Sequence, residues 1–433
     1  MNKSSFNIRK SFLSFIELFA TFKKNILNAG LYFGGSIAQS LLALFAQPIY
    51  SKFISSSEFG ILGYFDALKN LFAPIFIAGI TTTYIIKFFN QKEEENKKML
   101  FNITFYICIF NTILILISYL IIFLYFKALS IQIPLYPFVF FMLSSIFFDN
   151  LKNIILTNYK LRRKAFYYFI FSTLSAILNF GLGILFVSFF EMGLIGRMSA
   201  PIVASILILP VCYVILKNYS IKNFSLSYFI SIFKISLPLL ISSYGFVLIT
   251  NIDRFFLERQ NDLSEFGLYN IGITIAGYLQ LIYISLNQAF EPDILKASVD
   301  RNKGRIAKLF LVMFIPYSIL ILLFTLFSDD ILSALTAGKF MGSKEYMNIS
   351  IISVLLLSVF YFFEKILMGL DKPKQMSYVN LIGAIVAIII MYLCTSFGGF
   401  KGGVYGKILI NISLIFFSLI FIITSSKKEK HAL

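Results

Sequence analysis

Apolar runs, each about as long as the 20 residues a helix needs to cross a roughly 30 Å hydrocarbon layer, recur twelve times along the chain. They lie near 29–51, 59–88, 101–126, 136–157, 167–190, 194–216, 228–252, 265–290, 306–328, 346–368, 376–397 and 404–424. The connecting segments are short, so no soluble catalytic domain fits between them. A mean hydropathy of +0.83 and a 58% share of hydrophobic residues over 433 positions exceed what a water-soluble core and surface can divide between them. The expected fold class is therefore an all-α membrane protein of about 12 transmembrane helices.

Orientation follows from the basic residues. Most of the 38 Lys and Arg fall at both termini and in the even-numbered loops, including Lys160, Arg162, Arg163 and Lys164, and Arg301, Lys303, Arg305 and Lys308. By the positive-inside rule both termini are expected in the cytoplasm. The formal net charge of +17 is then mostly a topology signal. No loop is long enough to fold into a nucleic-acid-binding module, so no nucleic acid partner is expected. Cys108, Cys212 and Cys394 lie inside spans and read as packing residues, and the single histidine, His431, gives metal or acid/base chemistry no home. The segment "SFLSFIELFATF" at 11–22 is too short to cross and is expected to lie in the interface, on a retained N-terminus.

The tetrapeptide "SEFG" occurs at Ser57 to Gly60 and again at Ser264 to Gly267, an offset of 207 residues. The same offset sets Lys52 opposite Arg259. Each copy separates the first and second spans of a six-span half. Six is even, so both halves enter the membrane in the same sense, and the duplication predicts two lobes related by a pseudo-twofold along the membrane normal. The expected division is a cytoplasmic or interfacial segment (1–28), an N-lobe (29–216), a linker (217–227), a C-lobe (228–424) and a cytoplasmic tail (425–433).

The segment from 233 to 294, with Pro238, Asp253 and Arg254, the run Glu265 to Tyr269, and Pro292, resembles the middle of bacterial polysaccharide flippases, and residues 53–80 resemble their first hinge and second helix. These are O-antigen and capsule repeat-unit translocases of the multidrug/oligosaccharidyl-lipid/polysaccharide exporter superfamily. The resemblance runs through essentially the whole chain after residue 28. It implies movement of an undecaprenyl-pyrophosphate-linked oligosaccharide from the cytoplasmic to the outer leaflet of a bacterial plasma membrane. It also implies a place beside a polysaccharide polymerase and a chain-length regulator, with no sugar identity attached.

Such a head group is anionic and hydrated, so the protein must offer it a polar and preferably cationic path. Ionisable residues inside spans, each costing on the order of 2.5 to 3.5 kcal/mol at a helix centre, are the candidates. In the second span Asp66, Lys69 and Asn70 share a face with Gly63; in the fourth, Asp149, Lys152 and Asn153 form a similar stripe. Two readings stay open. Each Asp-x-x-Lys pair neutralises itself and glues helices together, or Lys69 and Lys152 face a lumen while Asp66 or Asp149 holds a coupling proton or sodium ion. No cofactor is expected otherwise, and no Gly-rich nucleotide motif occurs.

Arg197 reads either as an interface anchor near Glu191 or as a phosphate contact. Asp253 and Arg254 read as a surface salt bridge or cap, with Arg254 a second head-group candidate, and Lys234 stands at the cytoplasmic start of its span. Gln47 in the first span and Asn270 and Gln280 in the eighth offer uncharged partners for sugar hydroxyls, or polar packing. Pro74, Pro201, Pro238 and Pro316 read as kinks or flex points. A multidrug/cation antiporter would favour acids over bases in its lumen. A peptidoglycan-precursor flippase remains a close alternative, and a polymerase or ligase would need a large outer loop with His residues. A transporter rather than an enzyme is the expectation.

Overall fold

The computed structural model describes residues 30–32, 34–35, 37–77, 80–89, 91–221, 225, 230, 244–370 and 373–428. Among them no strand occurs. In hydrocarbon every backbone donor and acceptor must be satisfied within its own segment, which leaves the helix as the form a lone apolar run can take. The helices are α1 (37–53), α2 (Ser56–Ile77), α3 (Ile80–Phe88), α4 (Glu93–Leu129), α5 (Phe138–Leu161), α6 (Ala165–Ile184), α7 (Gly193–Tyr219) and α8 (244–257). They continue with α9 (Leu263–Val299), α10 (Lys303–Leu326), the short α11 (Ser328–Thr336), α12 (Lys344–Gly369) and α13 (Pro373–Lys428).

Among the described residues nine helices are long and apolar enough to cross a membrane. One of them, α13, holds two of the expected spans. At Gly399 (φ 51°, ψ −132°) it leaves helical geometry in a left-handed conformation that favours glycine. Beyond that point the chain runs back on itself: a Cβ on Gly402 would overlap the Cys394 carbonyl, and one on Gly383 would lie 2.5 Å from Leu414 Cδ2. With α1 and α8 overlapping the first and seventh runs, the described helices are consistent with the expected twelve-span, two-lobe layout. The run at 59–88 is described as two helices, α2 and α3, rather than one. Helices α2, α7 and α10 run through Pro74, Pro201 and Pro316; Pro238 lies outside the described residues, as does the segment 11–22.

Lipid contact explains the outward faces. Leu116, Leu120, Leu322 and Ile385 are more than half exposed, and in a bilayer that surface meets acyl chains. The inward faces pack in layers, the largest of which joins Tyr64, Phe65 and Leu68 of α2 to Phe138 and Val139 of α5 and to Phe266 and Tyr269 of α9.

Both SEFG copies open helices. Ser55 and Glu58 form a reciprocal cap on α2: the Glu58 amide donates to Ser55 Oγ (3.3 Å) and the Ser55 amide to Glu58 Oε2 (2.8 Å). On α9, Asp262 Oδ1 accepts from the Glu265 amide at 2.9 Å. Asp262 and Glu265 are Ser55 and Glu58 carried forward by 207 residues, so the repeat writes the same helix start twice. The two starts touch: Ser56 Oγ donates to the Ser264 carbonyl at 2.5 Å. Further along the seam Asn70 Nδ2 donates to Asn251 Oδ1 (3.0 Å) and the Tyr244 hydroxyl to the Leu71 carbonyl (2.9 Å). Glu258, in the turn between α8 and α9, lies buried at this end; burial pushes its carboxyl above the ordinary range, opposed by the Tyr64 hydroxyl and Arg259. The lobes are thus closed against each other at the SEFG end. The basic loops gather at the other end, where Arg162 pairs with Glu93 and Arg305 with Asp293.

Candidate functional site

Helical spacing places Asp66 and Lys69 on one face of α2 and Asp149 and Lys152 on one face of α5. The packing of α2 against α5 decides what they meet. Lys69 Nζ reaches across to Asp149 Oδ2 at 2.8 Å, and Lys152 Nζ takes Asp149 Oδ1 at 2.8 Å. The expected self-neutralising pair within α2 is therefore corrected: Lys69 leaves Asp66 and joins the other helix's acid, because the Asp149 carboxylate can accept from two ammonium groups at once. Asp66 forms no ion pair among the described residues. All three ion-paired side chains keep between 19% and 35% of their surface accessible, in a cavity rather than a sealed core.

Two adjacent cavities meet these side chains. One, of about 150 Å³, is walled by Asp66, Lys69, Asp149, Lys152, Asn179 and Arg197. The other, of about 420 Å³, shares Asp149, Lys152 and Asn179 and adds Gln39, Ser40 and Asn153, with Leu281 of α9 on its far wall. Both lysines turn inward, onto Asp149 and into the cavity lining.

Arg197 is also relocated. It turns away from Glu191 and lays its guanidinium over the Tyr50 ring, 4.8 Å from the centroid, with the Phe180 ring at 5.8 Å. The rings hold the guanidinium in place, and the residue lines the cavity. Arg254 stands on the opposite side of the seam, its Nε donating to Asn270 Oδ1 at 3.1 Å, within electrostatic reach of Asp66. Cations outnumber carboxylates in the crevice lining: Lys69, Lys152 and Arg197 against Asp66 and Asp149. Its field is positive at close range.

Other expected residues take different places. Asn70 sits at the seam with Asn251, and Gln47 is buried in α1 outside the cavity. Gln280 lines a separate pocket in the C-lobe. Lys234 lies outside the described residues. The surface salt bridge expected of Asp253 is corrected: the residue is fully buried, one turn inside the end of α8. It accepts from Lys407 Nζ at 2.9 Å and from the Tyr269 hydroxyl at 2.6 Å, with Arg254 at 3.5 Å. Lys407, Asn179 and Tyr50 were missed in the sequence. Lys407 is an ionisable residue inside an apolar run, and the rule that found Lys69 finds it as well; Asn179 is uncharged and Tyr50 aromatic, so that rule passes over both.

The arrangement can grip an anion, solvate a polar chain and keep both out of hydrocarbon. The comparisons agree with this layout. A family model described as "Polysaccharide biosynthesis protein" matches residues 26–298, and one described as "MatE" matches residues 238–393. "Lsg locus putative protein 1" of Haemophilus influenzae is 24% identical over 201 residues, 46% of this chain and 50% of that one, so the chain spans about half the length of that relative. Among solved structures, an inward-facing multidrug resistance MATE family transporter of the MOP superfamily superposes with a TM-score of 0.68 at 12% identity, covering 90% of this chain and 96% of the other. The lipid II flippase MurJ in an inward closed conformation gives a TM-score of 0.68 at 16% identity, covering 92% and 87%. At such identities the likeness is one of fold.

Proposed function

The chain belongs to the polysaccharide biosynthesis protein family, a multi-pass membrane protein of transporter and flippase fold, and from that premise we propose that it carries a lipid-linked oligosaccharide across the bacterial inner membrane. The substrate is an undecaprenyl-pyrophosphate-linked repeat unit moved from the cytoplasmic to the outer leaflet. The observation that carries this reading is the positive crevice lined by Lys69, Lys152 and Arg197. A pyrophosphate in hydrocarbon is prohibitively costly, and cations held inside the bundle compensate for lost water. Asn153, Asn179 and Ser40 add uncharged donors and acceptors suited to sugar hydroxyls.

The positive-inside rule puts the basic loops in the cytoplasm and the closed SEFG end outward. In this state the head group enters from the cytoplasmic side, and parting of the two helix starts releases it outside. Asp66 is the better coupling group of the two acids, since Asp149 is occupied by two lysines. The charge balance also weighs against a carrier of cationic drugs.

The test is reconstitution. In proteoliposomes containing undecaprenyl-pyrophosphate-linked oligosaccharide, the purified protein is expected to expose the sugar to an external lectin or glycosidase, and Lys69→Ala with Lys152→Ala to abolish this at equal protein incorporation. Equal exposure by wild type and double variant would refute the reading.

A further inference from the structure

An apolar groove opens on the C-lobe, apart from the head-group crevice. It has a volume of about 700 Å³ and lies between α10 and the second half of α13, with Phe362 and Ile366 of α12, both buried, as its floor. Lys303, the first residue of α10, stands at its end. We propose that this groove binds an anionic phospholipid of the cytoplasmic leaflet, with an acyl chain laid along the groove and the phosphate on Lys303.

The groove departs from the twofold plan. Carried back by the repeat offset, Ile306, Ala307 and Phe310 of its α10 wall fall on Met99, Leu100 and Ile103 of α4. Those three are 0%, 1% and 1% exposed and pack with Leu216 and Tyr219 of α7. The N-lobe fills this place with its own side chains. In the C-lobe Ala307 and Leu311 are exposed, and a chain from outside the protein can take the room. Lys303 falls on Asn96, a buried residue whose amide donates to the Phe88 carbonyl at 2.9 Å. The fold itself therefore demands neither the opening nor the cation.

Charge identifies the head group. Arg305 is paired with Asp293 at 2.7 Å and Lys365 with Glu291 at 2.6 Å, whereas Lys303 forms no ion pair among the described residues. Around it Lys296, Arg301, Arg305 and Lys308 face one acid in the same stretch of chain, Asp300. These basic loops belong to the cytoplasmic side, where anionic lipid gathers at juxtamembrane Lys and Arg. Length agrees. From Lys303 to Leu311 α10 rises about 12 Å, within one leaflet of a roughly 30 Å hydrocarbon layer. A partner helix fits less well, because by the same rule it leaves the membrane here with its own Lys and Arg and would set them against Lys303. The groove shares no lining residue with the N-lobe crevice, so a lipid whose pyrophosphate lies at Lys69 and Lys152 cannot also place it at Lys303.

The protein contains no tryptophan, so one introduced indole reports on the groove alone. Leu311→Trp and Ile423→Trp place it on opposite walls, at positions that are already exposed. The variants are set in nanodiscs of phosphatidylcholine and phosphatidylglycerol, with bromine on the acyl chains of one lipid or the other to quench the indole. Brominated phosphatidylglycerol is expected to quench about fivefold more per molecule than brominated phosphatidylcholine, the preference that one Lys near a membrane surface gives. Lys303→Gln should abolish that excess. Leu322→Trp, exposed on α10 beyond the groove, should be quenched by each lipid in proportion to its amount. Equal quenching by the two lipids in the groove, or an excess that survives Lys303→Gln, overturns the site. Relief of quenching by a trace of undecaprenyl phosphate overturns it in favour of the substrate's tail, and protection from both lipids overturns it in favour of a covering protein. If one groove variant fails to fold, the other decides.

Discussion

Gly60 and Gly267 close the two SEFG copies on reciprocal contacts. A Cβ on Gly60 would lie 2.6 Å from the carbonyl oxygen of Leu263, and a Cβ on Gly267 would overlap the carbonyl oxygen of Ser56. Leu263 is Ser56 advanced by the repeat offset, as Gly267 is Gly60 advanced by it. A contact in which i meets j′ and i′ meets j is what a twofold axis imposes, here within one chain. The repeated glycine is there because two helix backbones meet at the axis with no room for a side chain between them.

Gly267→Ala therefore cannot leave the lobes closed at this end. Spin labels on cysteines at Lys52 and Arg259, in a background lacking the three native cysteines, should report a longer and broader distance distribution in the alanine variant. Identical distributions would show that the contact does not govern closure.

Lys69 and Lys152 share Asp149, and each retains N–H donors for a ligand. Replacing either by alanine should lower affinity for undecaprenyl pyrophosphate by about 10- to 100-fold, the range for charge-assisted hydrogen bonds of about 1.5–3 kcal/mol. Partly accessible ion pairs contribute little to folding, so the melting temperature in detergent should barely move. A large loss of thermal stability with unchanged binding would assign the lysines to helix packing.

Asp253 presents the opposite case. Fully buried, it loses its nearer cation when Lys407→Met removes the ammonium and keeps Arg254 at 3.5 Å, so the cost should stay within roughly 3–5 kcal/mol. The double variant Asp253→Asn, Lys407→Met should recover most of that. Unfolding in detergent by denaturant measures both; an additive double variant would mean the two residues are not coupled.

Arg197→Lys keeps the charge and loses the plane that rests on Tyr50. Cation–π contacts are worth about 0.5–2 kcal/mol, so binding of the anionic lipid should weaken by roughly 2- to 30-fold. Tyr50→Leu should do the same, and the two changes together should do no more than either. Full additivity would separate the ring from the guanidinium's role.

Much of this architecture is legible in the residues. The apolar runs, the repeat and its offset, the basic loops and the polar stripes at Asp66, Lys69, Asp149 and Lys152 all stand in the sequence. The capping pairs Ser55 with Glu58 and Asp262 with Glu265 came from the structure, although their spacing of three residues is the one that opens a helix. Pairing was not. Nothing local says that Lys69 prefers Asp149, 80 residues away, over Asp66, three away, or that Asp253 finds its partner in Lys407.

The sequence by itself determined twelve helical crossings and their twofold plan. Hydrocarbon obliges each segment to satisfy its own backbone and to be about 20 residues long, and both demands are met residue by residue along the chain. Tertiary structure alone decided which charges neutralise one another, which face a cavity, and that the two glycines touch. Those outcomes depend on which helix face lies against which, a relation between segments far apart in the chain that no single segment encodes.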